Sequence, residues 1–324
     1  MTAYAFGKGF GGAFGKGMKD SPFAPDNQFD DGVTIEEVAQ AKGLNFQFEE
    51  VNSLYLHKGC LHSSPQKTII RNDTGEFIST MSAGYKVVQP MEILETHRQF
   101  LDVGGYHLRA AGIFKNGARF WSMAEGHGEL ELAGGDKVKS YLFMASACDG
   151  SSATYAIGTN QRMSCWNMAP GIILDAKNNG KFIRVTHSQV FNADDARVQI
   201  QANDDNFKLW CEDARHLAQE KIQIEQAQQY FNTVFDIEEE NEIDDQGRLN
   251  KRVQKCLELF SGAGMGSQLE AAKSTAWGMY NAVTEFVDHH AKNNNAENRF
   301  MNATMGNGLR LKRRAWENAL EMIG

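Results

Sequence analysis

Two neighbouring segments carry the residues best suited to chemistry in this chain. Asp149, Gly150, Ser151 and Ser152 form a small polar turn, whose hydroxyl and backbone N–H groups suit an anion such as phosphate. A tight turn between two core strands would explain the same residues without a ligand. Arg162 lies in the strand-like run that follows, and it is either paired inside the protein or offered to a ligand.

Basic and aromatic residues also alternate along several predicted strands. Single-stranded nucleic acid binding needs aromatic stacking platforms beside cations. The alternative is that the aromatic rings belong to the core and the basic side chains are solvated. Together with Arg162, the candidate nucleic-acid-binding residues of this region are Tyr85, Lys86, Arg109, Lys115, Arg119, Trp121, Lys181 and Arg184.

A predicted C-terminal helix holds the densest group of cations in the chain. Arg310, Arg313 and Arg314 are three and four residues apart, so we expect them to share a face, with Lys312 solvated elsewhere. That face would meet phosphate, or it would meet the seven acidic residues of the segment 236–245.

Signatures of nucleophilic, metal and nucleotide chemistry are weak. Cys165 and His187 would form a nucleophile pair only if the fold brings them together. His289 and His290 are adjacent and point to different faces of a helix, so we expect no shared metal there. The glycines at 262–266 lack the Lys-Ser/Thr ending of a phosphate loop. We therefore expect a binding protein rather than an enzyme, with no cofactor and no metal.

Composition sets broad limits. The chain has 324 residues, of which 42% are apolar and 23% charged, as in an ordinary soluble globular protein of one to three domains. Its five cysteines form no CxxC pair, which predicts reduced thiols. No apolar run reaches the roughly 18 residues of a membrane span, and no secretory signal follows the N-terminal lysines. We therefore expect a cytoplasmic protein without a membrane partner.

The net charge of −8 is unevenly distributed. Residues 1–50 and 191–250 carry net charges of −4 and −10, whereas residues 51–190 and 251–324 each carry +3. An acidic segment thus separates two mildly basic regions. This distribution excludes a protein that coats nucleic acid over its whole surface, and it leaves room for a local basic face.

The N-terminal residues 1–33 form a predicted arm. The sequence AFGKG occurs at 5–9 and again at 13–17, and such dense glycine disfavours a helix or a strand. The arm is either a disordered tail or a docking segment. We predict that Phe6, Phe10 and Phe14 dock it on a neighbouring protomer, which would make the protein a homo-oligomer.

Hydrophobic periodicity predicts an α+β fold with an antiparallel-rich sheet and a crossing helix, followed by a helical C-terminal third. The predicted domains after the arm are an α+β sheet domain at 34–190 and a helical region at 191–324, packed on or following the sheet. The predicted strands are 51–57, 67–71, 77–82, 84–88, 106–114, 119–124, 129–132, 138–147, 152–160, 161–167 and 182–187, with a hairpin turn at Lys115–Gly117. A short predicted helix is opened by Thr34, with Glu37 at the capping-box position, and is stopped by Gly43. The other predicted helices are 91–102, 190–237, 249–260, 268–291 and 309–323, and the first of these has Ile93, Leu94, His97 and Leu101 on one face.

Four stretches of sequence resemble one family. They are Asp73–Glu76, Gly84–Pro90, Ala145–Met168 and Ala276–Thr284. Over roughly residues 50 to 320 the chain resembles the phage/plasmid-like proteins, a domain of unknown function common in phages and mobile elements. The resemblance implies a bacterial host cell and a mobile-element setting, and it implies no particular chemistry.

Three functions are compatible with these observations. The first is a phage or plasmid DNA-metabolism protein that binds single-stranded DNA, such as a recombination or strand-annealing factor. The predicted sheet, crossing helix and following helices are similar in plan to strand-annealing proteins of the Red-beta and RecT type. The second is a hydrolase or nucleotide-modifying enzyme that uses the turn 149–152. The third is a self-assembling interaction protein without catalysis.

Overall fold

The computed structural model describes residue 29 and residues 32–150, 154–162, 165–167, 183–185, 193–238 and 249–324. The predicted N-terminal arm, apart from residues 29, 32 and 33, lies outside the described residues, so its predicted docking stays a prediction. The fold is α+β, as the sequence predicted, with two antiparallel sheets and a C-terminal region that is mainly helical.

The first helix, α1 (Ile35–Ala41), begins with the predicted capping box. The Thr34 hydroxyl accepts a hydrogen bond from the Glu37 N–H at 3.2 Å, and the Glu37 carboxylate accepts one from the Thr34 N–H at 2.8 Å. These bonds satisfy two amide donors that the helix itself leaves unpaired. Gly43 follows the helix with a φ of +63°, a left-handed conformation that glycine adopts without strain.

A three-stranded antiparallel sheet follows, in the order β1 (Phe48–His57), β2 (Cys60–Arg71) and β3 (Phe77–Ser82). Lys58 and Gly59 close the β1–β2 hairpin with φ values of +48° and +78°, as a two-residue turn with positive φ requires. The hairpin is longer than the strands predicted at 51–57 and 67–71. The strand predicted at 84–88 is wrong, because these residues form no strand and lead into the next helix at Pro90.

In the part of the chain that the structure describes, the central sheet has six antiparallel strands. They are β4 (His107–Phe114), β5 (Arg119–Leu132), β6 (Asp136–Ala147), β7 (Thr154–Arg162), β8 (Cys165–Asn167) and β9 (Ile183–Val185). The strand order is β4-β5-β6-β7-β8, and β9 also pairs with β7. The two strands predicted at 119–124 and 129–132 are one strand, because a shift in the β5–β6 register between Glu125 and Glu129 absorbs the glycines between them.

Helix α2 (Pro90–Gly104) is the predicted crossing helix. Its buried face includes Ile93, Leu94, His97 and Leu101, the four positions expected from the sequence. Two serine hydroxyls of the central sheet hold the His97 ring, Ser122 at 2.8 Å and Ser146 at 3.1 Å. This polar contact fixes where the helix crosses the sheet.

The described residues of the C-terminal region, 193–238 and 249–324, form six α-helices. They are α3 (Ala193–Gln219), α4 (Ile224–Phe235), α5 (Lys251–Glu258), α6 (Ala276–Glu285), α7 (Ala296–Met305) and α8 (Asn307–Ile323). Helices α5 and α6 continue as π-helical turns at Leu259–Ala263 and Phe286–His290. The predicted helix 268–291 begins only at Ala276, because the Thr275 side chain caps it there by accepting a bond from the Gly278 N–H. Helix α7 was not predicted.

A buried ion pair of the central sheet is hydrogen-bonded to residues of the helical region. Arg162 Nε lies 2.8 Å from both carboxylate oxygens of Asp136, and Trp277 donates its indole N–H to the same carboxylate at 2.9 Å. The remaining guanidinium nitrogens reach the carbonyl oxygens of Met265 and Gly266 at 3.3 and 3.2 Å. The side chains of Arg162 and Asp136 are only 2% and 0% exposed.

The ion pair generates a stability prediction. Asp136→Ala leaves the Arg162 guanidinium buried without its counter-ion, so it should lower the free energy of unfolding by about 3–5 kcal/mol. Urea denaturation followed by circular dichroism measures the change. Asp194→Ala is the matched control: its ion pair with Arg197 is 89% and 63% exposed, and its loss should cost less than about 1 kcal/mol. Equal changes in the two variants would contradict the prediction.

Candidate nucleic-acid interface

The predicted nucleic-acid-binding residues do not form one surface. Lys86, Lys115 and Arg310 are exposed. Lys181, Ser151 and Ser152 lie outside the described residues. For Arg184 the structure gives the backbone alone, which pairs with Tyr155 between β9 and β7. The remaining predicted residues are described below, and each has a partner inside the protein.

Arg109 lies in a charge cluster on the central sheet. Its Nε donates to Glu125 at 2.7 Å, and Lys139 donates to the same carboxylate at 2.5 Å. Burial alone would raise the pKa of Glu125, but the hydrogen bonds from Lys139 and Arg109 outweigh burial and lower the pKa. The ionised carboxylate therefore neutralises one of the two cations and weakens this patch as a phosphate contact.

Trp121 is a core residue, which corrects its predicted role as a stacking platform. The side chain is 2% exposed, and its ring centroid lies 5.1 Å from Phe300 and 6.2 Å from Phe114. A Cβ atom added to Gly112 would lie 2.6 Å from the indole, so glycine on β4 is what lets the ring lie flat on the strand. A ring enclosed in this way cannot stack on a base.

Arg162 is likewise a structural residue. Of the two roles left open by the sequence, the structure shows internal pairing, since the buried guanidinium bonds Asp136 and two backbone carbonyls. Its charge is therefore not offered to a ligand.

The predicted anion-binding turn begins at one end of the central sheet, beside two other predicted residues. Tyr85 donates its hydroxyl to the Cys148 carbonyl at 3.4 Å, and Arg119 Nε lies 3.8 Å from the Asp149 carboxylate. Gly150 follows with a φ of +69°. The fold thus gathers Tyr85, Arg119, Asp149 and Gly150 into one corner, from positions up to 65 residues apart in the sequence.

The electrostatics of this corner oppose an anion. Burial raises the pKa of the Tyr85 hydroxyl, and the Asp149 carboxylate raises it further. Burial also raises the pKa of the Cys148 thiol, with Asp149 and Glu92 adding to the shift. Two carboxylates therefore place negative potential here, and Arg119 offsets only part of it. The described residues of this corner are therefore poorly suited to bind a phosphate group.

The C-terminal helix α8 differs from its predicted arrangement. Lys312, expected to be solvated, is fully buried and forms an ion pair with Asp288. Arg314 forms an ion pair with Asp236, the first residue of the acidic segment 236–245. Arg313 Nε lies 2.6 Å from Glu317 Oε1. The sequence did not predict the burial of Lys312, because a lysine in a basic run is usually solvated. Here its ammonium group pairs with Asp288, a carboxylate 24 residues away in the sequence.

A more coherent basic and aromatic surface lies on the β1–β2 hairpin, which the sequence analysis did not single out. The register pairs Tyr55 with His62 and His57 with Cys60, so these four side chains share one face. The rings of Tyr55 and His62 are stacked with centroids 5.3 Å apart, and the His57 ring lies 6.3 Å from His62. Tyr55 is 54% exposed. We call Tyr55, His57, Cys60 and His62 the imidazole face.

The hairpin also has a distinctive charge. Between Glu50 and Asp73 the sequence contains no acidic residue, whereas it contains Lys58, Lys67 and Arg71. Lys67 is paired with Glu50 at 2.7 Å, and Lys58 is exposed at the turn. This absence of carboxylates was visible in the sequence. It was missed because charge was summed over much longer segments.

A buried polar cluster surrounds the π-helical turn after α6. Glu285 accepts a hydrogen bond from the Met265 N–H at 2.7 Å, and His290 Nε2 lies 3.6 Å from the same carboxylate group. Burial lowers the pKa of His289, although Asp288 and Glu285 act in the opposite direction. Within the described parts of the chain, no three His, Cys, Asp or Glu side chains are placed to hold a metal ion.

The lowered pKa of His289 predicts an acid-sensitive fold. The unfolded chain binds a proton at this residue near pH 6.5, whereas the folded chain resists it, so stability should fall as the pH drops below about 6.5. His289→Gln should flatten the dependence of the unfolding free energy on pH between about 7.5 and 5. An unchanged slope in His289→Gln would contradict the prediction.

Comparison with known proteins gives a family without an assigned activity. A family model described as a domain of unknown function (DUF932) matches residues 77–316, more than two thirds of the chain. The matched range contains the central sheet and the six C-terminal helices up to most of α8, and the β1–β2 hairpin lies before it. No curated protein and no solved structure matches the chain. The chain therefore belongs to the DUF932 family, a domain of unknown function.

Proposed function

We propose that this protein binds single-stranded DNA through the imidazole face of the β1–β2 hairpin. The observation that carries the proposal is the exposed, stacked pair of Tyr55 and His62 on a ribbon that has no carboxylate from residue 51 to residue 72. We further propose that binding serves phage or plasmid DNA metabolism, as a recombination or strand-annealing factor. The resemblance to phage/plasmid-like proteins supports that setting.

Stacking provides the first physical support. Every base has a π face, so exposed rings beside one another accept successive bases without selecting a sequence. Tyrosine and histidine both serve as stacking platforms for unpaired bases. On the imidazole face Tyr55, His57 and His62 lie along one ribbon, and the two ring spacings of 5.3 and 6.3 Å are set by the strand register.

Charge provides the second support. A negatively charged protein binds DNA most favourably where its surface has few carboxylates, because carboxylates repel phosphates. The hairpin is such a place from residue 51 to residue 63, where Lys58 lies at its turn. Its other cations, Lys67 and Arg71, are paired with Glu50 and Asp73. Lys86, Lys115 and Arg310 are exposed as well, and they are candidates for further phosphate contacts.

Fluorescence anisotropy with a labelled oligothymidine at about 50 mM salt tests this proposal. Tyr55→Ala and His62→Ala should each weaken binding by about 1–3 kcal/mol, the usual contribution of one stacked base. Phe77→Ala is the matched control, since Phe77 is an aromatic residue of β3 that is 62% exposed and outside the imidazole face. It should bind as tightly as the unchanged protein.

Salt dependence separates charge from stacking. The logarithm of the binding constant should fall linearly with the logarithm of the salt concentration, because neutralised phosphates release counter-ions. Lys58→Ala should reduce that slope by about 0.7, the single-strand value for one contact, and Tyr55→Ala should leave the slope unchanged. Undetectable binding at about 50 mM salt, or full affinity in Tyr55→Ala, would overturn the proposal.

A further inference from the structure

A cavity of about 410 Å³ lies between helices α1 and α2 and strands β4 and β5 of the central sheet. Its lining residues fall between residues 32 and 38 and between residues 94 and 122, so the cavity is separate from the β1–β2 hairpin. Clefts of this volume, lined mainly by apolar side chains with a few polar groups, are typical binding sites for small molecules.

Small residues on the sheet account for the space beneath α2. The register pairs Ala111 of β4 with Ser122 of β5, so two short side chains lie side by side. Leu94, His97 and Leu101 of α2 are three and four residues apart, so they share one helical face, and all three are buried and line the cavity. Larger residues at 111 and 122 would fill the space under this face.

The other walls of the cavity are mainly aliphatic. They include Val33, Ile35, Val38 and Leu108. Val38 is fully buried, whereas Val33, Ile35 and Leu108 are half-buried, so the aliphatic lining extends from the interior towards the surface. An apolar molecule that enters this lining leaves water, which favours binding.

Ser122 provides a polar group in the buried part of the cavity. Its side chain is 1% exposed, and its hydroxyl lies 2.8 Å from Nδ1 of His97. The Nε2 atom of the same ring lies 3.1 Å from Ser146, a residue outside the described lining of the cavity. A hydroxyl has one donor and two acceptor sites, and the contact with His97 uses one of these three. Ser122 can therefore form a further hydrogen bond in either tautomer of His97.

The charges of the lining favour a neutral ligand. Arg98 and Asp102 are exposed and form an ion pair with each other, and Arg98 also pairs with Glu95 at 2.5 Å. Among the described lining residues, Arg98 and Asp102 are the only Arg, Lys, Asp or Glu. A charged ligand group beside the buried Ser122 would meet neither of them, and burying an uncompensated charge is costly. A neutral group there requires only a hydrogen bond.

We propose that this cavity binds a neutral, mainly apolar small molecule with one hydrogen-bonding group, such as an alcohol or a phenol, and that Ser122 bonds that group. A cavity of roughly 150 Å³ accepts benzene, so the present volume suits a molecule with about two to three times as many non-hydrogen atoms. This site goes beyond the proposed DNA binding and does not require it, because its lining lies outside the hairpin.

Fluorescence titration of the full chain with N-phenyl-1-naphthylamine, a neutral dye that brightens in apolar surroundings, tests the site. The unchanged protein should bind the dye saturably, and both p-propylphenol and propylbenzene should displace it. Ala111→Leu places a larger side chain in the cavity and should weaken dye binding roughly 10-fold or more. If circular dichroism shows that this variant does not fold, Ile35→Trp, at a half-buried wall position, replaces it. The absence of saturable binding, or full affinity in the folded variant, would overturn the proposal.

Two serine variants test the hydrogen bond, because p-propylphenol and propylbenzene differ by one hydroxyl. Ser122→Ala should weaken p-propylphenol relative to propylbenzene by about 2- to 12-fold, the usual effect of one hydrogen bond. Ser146→Ala is the matched control, since it removes a hydroxyl from the other nitrogen of the same His97 ring. It should leave the ratio of the two affinities unchanged. Equal changes of the ratio in the two variants, or no change in Ser122→Ala, would contradict the assigned role of Ser122.

The predicted N-terminal arm is the competing occupant of the cavity. Phe29 donates its backbone N–H to the Arg109 carbonyl at 2.8 Å, next to Leu108 in the lining, so the arm joins the described chain close to the cavity. Deleting residues 1–25 should leave the affinity for the dye unchanged. Tighter dye binding by the shortened chain would show that the arm occupies the cavity, and it would overturn the assignment to a small molecule.

Discussion

The buried ion pair between Asp136 and Arg162 is the interaction on which the arrangement of the molecule depends. Taking both charges out of water costs several kcal/mol per ion, so such a pair persists only where hydrogen bonds replace the lost hydration. Here the Trp277 indole N–H and the carbonyls of Met265 and Gly266 provide those bonds. They come from the helical region, whereas the two charges come from adjacent strands. The sheet therefore cannot satisfy its own buried charges without the helices.

This junction explains how the aromatic residues are used. Trp210 packs on Trp277 and Trp316 with ring centroids 5.6 and 5.2 Å apart, and Leu130, Leu132 and Val138 of the sheet join the same core. On another part of the sheet, Trp121 meets Phe300 of α7. Covering the sheet in this way places many of its large rings in the interior. Among the described side chains, the central sheet exposes the imidazole rings of His107 and His127, and an exposed tyrosine ring comes only from an element outside the sheet.

The β1–β2 hairpin is that element. Because strand side chains alternate, the end of this ribbon around Tyr55 and His62, where the described side chains are not buried, presents two independent surfaces. One surface here is aromatic and free of carboxylates, and the other is aliphatic, with Leu54, Leu56 and Leu61.

The sequence by itself determined the features that depend on neighbouring residues. The capping box at Thr34 and Glu37, the buried face of α2 and the turn at Lys115–Gly117 follow from local hydrogen bonding, helical period and glycine, and the structure has all three. The α+β class follows from the hydrophobic period, which changes from that of strands to that of helices near residue 190. The tertiary structure alone decided burial and pairing. From the sequence, a solvent-facing position was open to Trp121 and Arg162 and expected for Lys312. In the structure each is buried by residues distant in the chain. Whether an aromatic or a charged residue faces solvent depends on what the fold brings against it, and the residues on either side in the sequence do not carry that information.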